Sequence, residues 1–587
     1  MQSTIKVKFS NPHPRRRVIL NMGLGPCRTA TLAILLWMAG FSPCFGAGQK
    51  AGADEAAGLF SRDRLLEVQI ELAPSDWDQL RAEHHDLVAA LGPSRLEKPP
   101  PDPYHIYPAT AIINGERLES VGLRKRGFLG SASTVRPSLG IRFDAYDKER
   151  RYKGLKRMSL NNNLQDPSQM RQVLAYGLFA KAGLPAPRCS LAKVTVNGQF
   201  LGIYTHVEAV DEVFLRRQFG SSKGNLYEGR LSDFRPGWVK TFERKNHKDE
   251  PDTSDLNAVV DALALPAAQM LEVLPRLVDV EEYRSFWAVE CLIGHWDSYS
   301  NGGNNFFVYF PPNSGRMVFI PWGADGVLGI PDPFKEGPVP VSVMAGTQLP
   351  HRLYQIPRER AAYRLRLREV LETVWNEDEL LAEMERLDKL VRPYLHVPPT
   401  RFQASKAQLR AFIHARRAAV ESELNGPAPR EGLELRKSPC LHPAGRVTAD
   451  FQAQWREAFD IRSTGPAFVT MTTAQGVSRA MSRAAVHRSD DGRFPEGAVV
   501  WFLGGNLWEA RVRGGAIMIP AEHFAAGNIP LDGTHALGIF MDAQFLQGRG
   551  RRGGLLVGNM HLESAGTTPG ALVKGRVEAE LYVMDKP

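Results

Sequence analysis

The apolar pattern of this chain changes period part-way along, and that change limits what the chain can fold into. Residues 352–424 are charge-rich with apolar positions at helical spacing, whereas from about residue 445 short strand patterns alternate with glycine turns. After residue 490 almost no helical periodicity is left. Gly426-Pro-Ala-Pro429 separates the two regimes and reads as a linker. A chain of 587 residues also exceeds one ordinary domain. The expected fold is therefore α+β up to residue 425, a linker over 426–444, and a β-rich, sandwich-like accessory domain over 445–587. No internal repeat is found.

The first 48 residues read as a signal peptide. Lys6, Lys8, Arg15, Arg16, Arg17 and Arg28 precede an apolar run from Ala30 to Phe41, and Pro43 and Gly46-Ala47-Gly48 follow. The apolar run is short for a membrane span, although an uncleaved anchor helix is the alternative. Met22 is a second possible start, and Cys44 after Pro43 is a poor lipoprotein context. Removing these six cations from the 73 basic residues leaves 67 against 64 acidic ones. The high isoelectric point thus belongs largely to the export segment. No basic face argues for nucleic acid, and no transmembrane segment is expected after cleavage. Cys189, Cys291 and Cys440 are too widely spaced for a zinc site or a disulfide framework, though one bridge is possible; Cys291 reads as a buried thiol.

Between these limits the elements are well marked. Residues 49–109 form a lead-in with the Pro-rich loop Pro99 to Pro103. Val121 to Asp144 reads as two strands around the turn Gly127-Phe-Leu-Gly130-Ser131. A helix is predicted from Asp166 as N-cap, with Pro167 at its first position and Gln169 completing a capping box, up to Gly183. Val194-Thr-Val196, Asn197-Gly198 and Phe200 to Tyr204 make a hairpin. A second capped helix starts at Asp279 with Glu282 as partner and stops at Gly294. Strands are predicted at Phe306 to Phe310 and Met317 to Ile320.

The chemistry concentrates between His295 and Gly329. The helix delivers Asp297 onto the loop Ser298-Tyr-Ser-Asn-Gly-Gly-Asn-Asn305, and the hairpin returns at Pro321-Trp322-Gly323-Ala324-Asp325. A kinase centre needs this order: one Asp for the attacking hydroxyl, then an Asn and a later Asp for the divalent ions on the phosphates. On spacing alone the simpler reading is a structural loop in which Asp297 caps and Asn304 and Asn305 satisfy backbone groups. Glu83-His84-His85-Asp86 could ligate a metal, but adjacent histidines on a surface helix are more commonly just solvated. There is no H-E-x-x-H and no Walker loop.

A longer set of motifs discriminates. Leu160-Asn-Asn-Asn163, Asp166-Pro167, Ala182-Gly-Leu-Pro-Ala-Pro187, Val196-Asn-Gly198, Gly202-Ile-Tyr204, Val207-Glu208, Val210-Asp211, Gly224-Asn-Leu-Tyr-Glu228, Trp296-Asp297, Asn305 and Pro321-Trp322 follow in order. Over roughly residues 110–330 this run resembles the CotH (spore coat protein H) family, which is similar to atypical protein kinases. The resemblance implies a kinase-like domain with a helical C-lobe over 110–425. It implies Asp297 as the catalytic residue and Asn305, with Asn304 competing, and Asp325 as metal ligands. It places Gly127, Gly130, Ser131, Arg136 and Glu208 on the nucleotide side. ATP and Mg²⁺ or Mn²⁺ are the implied cofactors, and an exported or surface protein carrying Ser or Thr is the implied substrate, in an extracytoplasmic setting. Three positions depart from the family pattern: Gly323 for an Asp, Arg136 for a Lys, and Gly177 for a Glu. They support the alternative of a weak or inactive pseudokinase serving as an envelope or surface binding protein.

Overall fold

The computed structural model describes residues 54–584, apart from 251, 333–338, 431–432, 438–439, 475, 490–496, 507–510 and 545–551. The predicted signal peptide lies outside the described residues.

Seven strands close the first barrel: β1 (Leu66–Glu71), β2 (Tyr107–Ile113), β3 (Glu116–Arg126), β4 (Ser138–Arg142), β5 (Arg157–Asn161), β6 (Cys189–Val196) and β7 (Gln199–Val207). Their order is β1-β2-β3-β4-β5-β7-β6, and a parallel β1–β6 pairing completes the ring. Strict alternation drives this. In β1, Leu66, Val68 and Ile70 point inward while Glu67, Gln69 and Glu71 face water. The inward residues join Ile113, Leu123 and Ile141 in one apolar core. The β6–β7 turn is Asn197-Gly198, with φ of +47° and +79°, as the Asn-Gly signal predicts.

The helix after β5 starts later than predicted. It spans Arg171–Lys181, not Asp166 onward. Gln169 has φ +61°, so it is left-handed and forms no capping box. Asp166 still acts on the helix start from a distance: its carboxylate accepts the N–H groups of Met170 and Arg171, each at 2.8 Å. It also pairs with the fully buried Arg171 at 2.5 Å.

A second antiparallel sheet follows, of β8 (Leu226–Gly229), β9 (Phe242–Arg244), β10 (Phe306–Tyr309) and β11 (Val318–Pro321), in the order β11-β10-β8-β9. It packs on the helix Val280–Leu292, whose N-cap is Asp279 as predicted; Asp279 accepts the Glu282 N–H at 3.2 Å. Tyr283, Phe286 and Phe319 pack ring against ring there. Helices Gln348–Gln355, Pro357–Thr373, Glu377–Val391 and Pro399–Asn425 enclose the same core, in which Trp287 stacks on Tyr363 at 3.7 Å. Cys291 is buried within it, and Cys189, Cys291 and Cys440 are all unbridged.

The last region holds β12 (Leu441–Arg456), β13 (Gly465–Thr473), β14 (Gly476–Arg488), β15 (Ala498–Asn506), β16 (Arg511–Ile519), β17 (Gly527–Leu531), β18 (Leu537–Gln544), β19 (Arg552–Ala565) and β20 (Leu572–Met584). These strands form a single sheet that returns on itself through the β19–β20 pairing, so a closed barrel replaces the expected two-sheet sandwich. The alternation of one buried face is the same in both architectures. Closure depends on β12 pairing β20 across more than a hundred residues, which local pattern does not encode. The barrel has its own apolar core, including Phe451, Val469, Phe502, Ile517 and Val577. Before it, Arg436 is held by the Gly346 carbonyl at 2.8 Å and by Asp332 at 2.8 Å.

Candidate active site

The segment after the helix Val280–Leu292 is a folded loop with one short helical turn, Tyr299–Gly302. Ser298, not Asp297, caps that turn by accepting the Asn301 N–H at 3.3 Å. The carboxylate of Glu290, fully enclosed, accepts the Ser300 N–H at 3.1 Å, and burial pushes its pKa up to about 8. The carboxamide of Asn301 donates to the Trp296 carbonyl and to Asp332. With these groups fixing the loop, the Asp297 side chain stays directed into the site.

Asp297 is held by amides. Asn304 Nδ2 donates to both its oxygens at 3.1 Å, and Asn305 Nδ2 donates to Oδ2 at 2.8 Å and to the Asp297 carbonyl at 3.0 Å. Asn304 Oδ1 in turn accepts the Leu231 N–H at 3.3 Å. Asn305 Oδ1 accepts no hydrogen bond among the described residues and is turned toward Gly323. Asn305 sits at φ +55° and Gly323 at +52°. A Cβ on Gly323 would lie 2.3 Å from that Oδ1, so the approach of the two loops requires glycine in this arrangement. Asp325 is 6 % exposed and accepts from Asn161 Nδ2 at 3.4 Å. The Tyr176 hydroxyl bonds the backbone of Gly323 and Ala324, which fixes the strand exit.

The charge of Asp325 acts on Asp297. Burial first, and then the charge of Asp325, raise the Asp297 pKa to about 7 against the two Asn bonds. Burial raises Asp325 to about 6. Neither makes a salt bridge among the described residues. The charge of Arg436 and nearby backbone N–H groups only partly offset the burial, and such desolvated carboxyls favour a divalent cation or a proton.

The positions expected on the nucleotide side are more dispersed. Gly127 has φ +98°, and a Cβ there would meet Ser131 Oγ at 1.9 Å, so this turn needs its glycine. Gly130 packs against the Gln165 amide, with 2.2 Å from an added Cβ to Nε2. Within the turn the Ser131 N–H is taken by the Phe128 carbonyl at 2.9 Å. Arg136 directs its guanidinium at the carbonyls of Leu201, Asn162 (3.1 Å) and Ile203 (3.4 Å). Glu208 is buried between Arg188 (2.7 Å) and Arg217 (2.5 Å); burial would raise its pKa, but these bonds outweigh it and hold it low. A side chain at Gly177 would enter open space, away from the enclosed Arg136.

Residues 123–421, about half of the chain, match the family profile described as CotH kinase protein. The chain belongs to the CotH family. It is 23% identical over 307 residues to the inner spore coat protein H of Bacillus subtilis (strain 168), covering 50% of this chain and 82% of that one. It is 36% identical over 104 residues to the inner spore coat protein H-like protein of the same organism, 16% of this chain and 34% of the relative. To the spore coat protein homolog 1 of Rhizopus delemar it is 21% identical over 229 residues, 36% of this chain and 38% of the relative. The CotH match ends before the second barrel begins.

One residue of this CotH chain without a motif signal stands out in the geometry. Arg126, at the end of β3, places its guanidinium 5.9 Å from the centre of the Trp322 ring, next to Gly323. Burial lowers its pKa to about 10, and it makes no ion pair among the described residues. The only sequence clue was its place as the last cation before the Gly127 turn. Asn161 was legible as part of Leu160-Asn-Asn-Asn163, but its contact with Asp325 was not.

Proposed function

We propose that this chain is an exported atypical protein kinase that transfers the γ-phosphate of ATP to Ser or Thr of an extracytoplasmic protein. One observation carries the reading: Asp297 is held by Asn304 and Asn305, Asn305 faces Gly323 beside Asp325, and neither carboxyl makes a salt bridge among the described residues. Hard oxygen donors of this kind fit Mg²⁺ or Mn²⁺. Asn305, rather than Asn304, is the proposed carboxamide ligand, because the oxygen of Asn304 is already engaged by Leu231. The bound ion and nucleotide would supply phosphate charge neutralisation and the transferable group. Asp297, raised to about 7, is suited to accept the proton of the attacking hydroxyl near neutral pH. Arg126 is the proposed phosphate-facing cation, since Arg136 is engaged by carbonyls.

The proposed setting is extracytoplasmic, from the charge order of residues 1–48. No helix among the described residues is long and apolar enough to cross a membrane. The proposed division is a kinase-like domain to residue 425 and an accessory barrel after the linker.

A second reading, a pseudokinase acting as a surface binding protein, is favoured by the glycine at 323 and by the engagement of Arg136. The two readings separate by calorimetry and turnover. Asp325→Ala should abolish Mg²⁺-dependent ATP binding. Asp297→Ala should keep binding and lower turnover by about 10²–10⁴-fold. ATP affinity unchanged by Asp325→Ala and by chelator would rule out the metal assignment.

A further inference from the structure

Away from the candidate active site, a turn of the second barrel meets the connection between β1 and β2 of the first. Asp532 follows β17, and its Oδ1 accepts the N–H groups of Thr534 and His535, each at 2.8 Å. This fixes the carboxylate and turns Oδ2 toward two imidazoles. Oδ2 lies 2.6 Å from His535 Nδ1 and 3.4 Å from His84 Nε2. His84 comes from the turn after the helix Pro74–Ala82, and its Nδ1 lies 3.0 Å from the Ala82 carbonyl. A carbonyl can only accept, so the ring carries its proton on Nδ1 for that bond. In the neutral ring Nε2 then presents a lone pair to a carboxylate oxygen. Two acceptors at this distance repel unless a proton or a metal cation stands between them.

We propose that His84, Asp532 and His535 form a zinc-class metal site that clamps the second barrel to the β1–β2 connection of the first. One ligand atom from each of the three lies within 4.8 Å of the others. Tetrahedral ligation at about 2.0–2.2 Å puts neighbouring ligand atoms about 3.3–3.6 Å apart. The His84–Asp532 separation already lies in that range, and His535 needs only a small ring shift with loss of its Nδ1 proton. The hydrogen bond from His84 Nδ1 to a carbonyl is the outer-shell contact that orients a ligating imidazole. Two imidazoles and one carboxylate select Zn²⁺ and similar borderline ions over Mg²⁺ or Ca²⁺. The side chains are 35%, 16% and 20% exposed, which leaves an entry path and room for water as a fourth ligand.

The surroundings act in both directions. Lys125 donates to the carbonyls of Arg81 and Glu83 at 2.6 and 2.5 Å, which pins the turn carrying His84. Its ammonium also feels Asp532, and this positive charge opposes a cation. His523 lies with its ring centre 4.9 Å from that of His535, and its Nε2 is 3.0 Å from Thr134 Oγ1. Glu522 accepts from the same hydroxyl at 2.7 Å. The clamp would therefore hold the barrel beside the loop that follows Gly127–Ser131.

The test is a titration of the chelator-treated mature chain with ZnCl₂, followed by calorimetry and elemental analysis, with MgCl₂ as the control. Wild type is expected to bind about one Zn²⁺ per chain. The double variant His84→Ala/His535→Ala should lose that equivalent, and Asp532→Asn should weaken it by at least about tenfold. Magnesium should not displace it. Urea unfolding in chelator shows whether the double variant folds; if it does not, Asp532→Asn carries the test with the same outcomes. Absence of zinc binding by wild type, or zinc binding unchanged in the variants, would overturn the proposal and leave a hydrogen-bonded cluster only.

Discussion

Replacing Asp325 by Asn isolates the electrostatic strain at the centre of the candidate site. The carboxyl is almost fully enclosed, has one side-chain donor at 3.4 Å, and makes no salt bridge among the described residues. Burial raises its pKa from 3.8 to about 6. The native state thus holds this proton more tightly than the unfolded chain does. Below about pH 4 the group is protonated in both states and costs nothing. As pH rises through 4 and then 6, ionisation favours the unfolded chain, and the penalty is fully developed above about pH 6. Two pKa units correspond to about 3 kcal/mol, and relaxation of the site brings the expected effect to about 1–3 kcal/mol. Asn keeps the shape and an acceptor but never ionises, and its neutrality also relieves Asp297. Urea unfolding in chelator at about pH 4 and about pH 8 measures this. The variant should match wild type at the lower pH and exceed it by about 1–3 kcal/mol at the higher. Millimolar Mg²⁺ should then stabilise wild type and not the variant. A variant less stable than wild type at the higher pH in chelator would show that the carboxylate is compensated in the native state, and the reasoning would fail.

Three further outcomes are expected. Arg126→Ala should weaken ATP binding in calorimetry while leaving the unfolding midpoint close to wild type, because the guanidinium forms no ion pair among the described residues. Gly323→Ala should cost about 1–2 kcal/mol in urea unfolding for its left-handed backbone, and should also lower Mg²⁺ affinity by displacing the Asn305 carboxamide. Trp287→Ala, at the centre of the helical core, should cost about 3–5 kcal/mol in the same assay.

Much of the local architecture was legible because it is locally encoded. Asn197-Gly198 supplied the two positive φ angles of the β6–β7 turn, and Asp279 was readable as a helix cap from its own side chain. The order of Asp297, Asn305 and Asp325 was visible because a helix, a loop and a hairpin carry them in sequence. What was not legible depends on contacts distant in the chain. Gln169 matches a capping box by spacing, yet Asp166 reaches past it to Met170 and Arg171 because its carboxylate is tied to buried Arg171. Arg136 reads as a phosphate cation until the carbonyls of Leu201, Asn162 and Ile203 are seen around it. The closure of the second barrel rests on β12–β20 and β19–β20. His84 is an ordinary exposed histidine until a turn some 450 residues later arrives beside it.

Phosphotransfer itself is the most direct test. The chain, incubated with γ-labelled ATP and Mg²⁺ or Mn²⁺, should incorporate label into itself or into an exported protein carrying Ser or Thr. Incorporation should rise with pH through about 7 as Asp297 ionises. It should fall by about 10²–10⁴-fold in Asp297→Ala while metal-dependent ATP binding persists. Wild-type incorporation no greater than that of Asp297→Ala, with either metal and at pH above 7, would contradict the kinase reading and leave the pseudokinase.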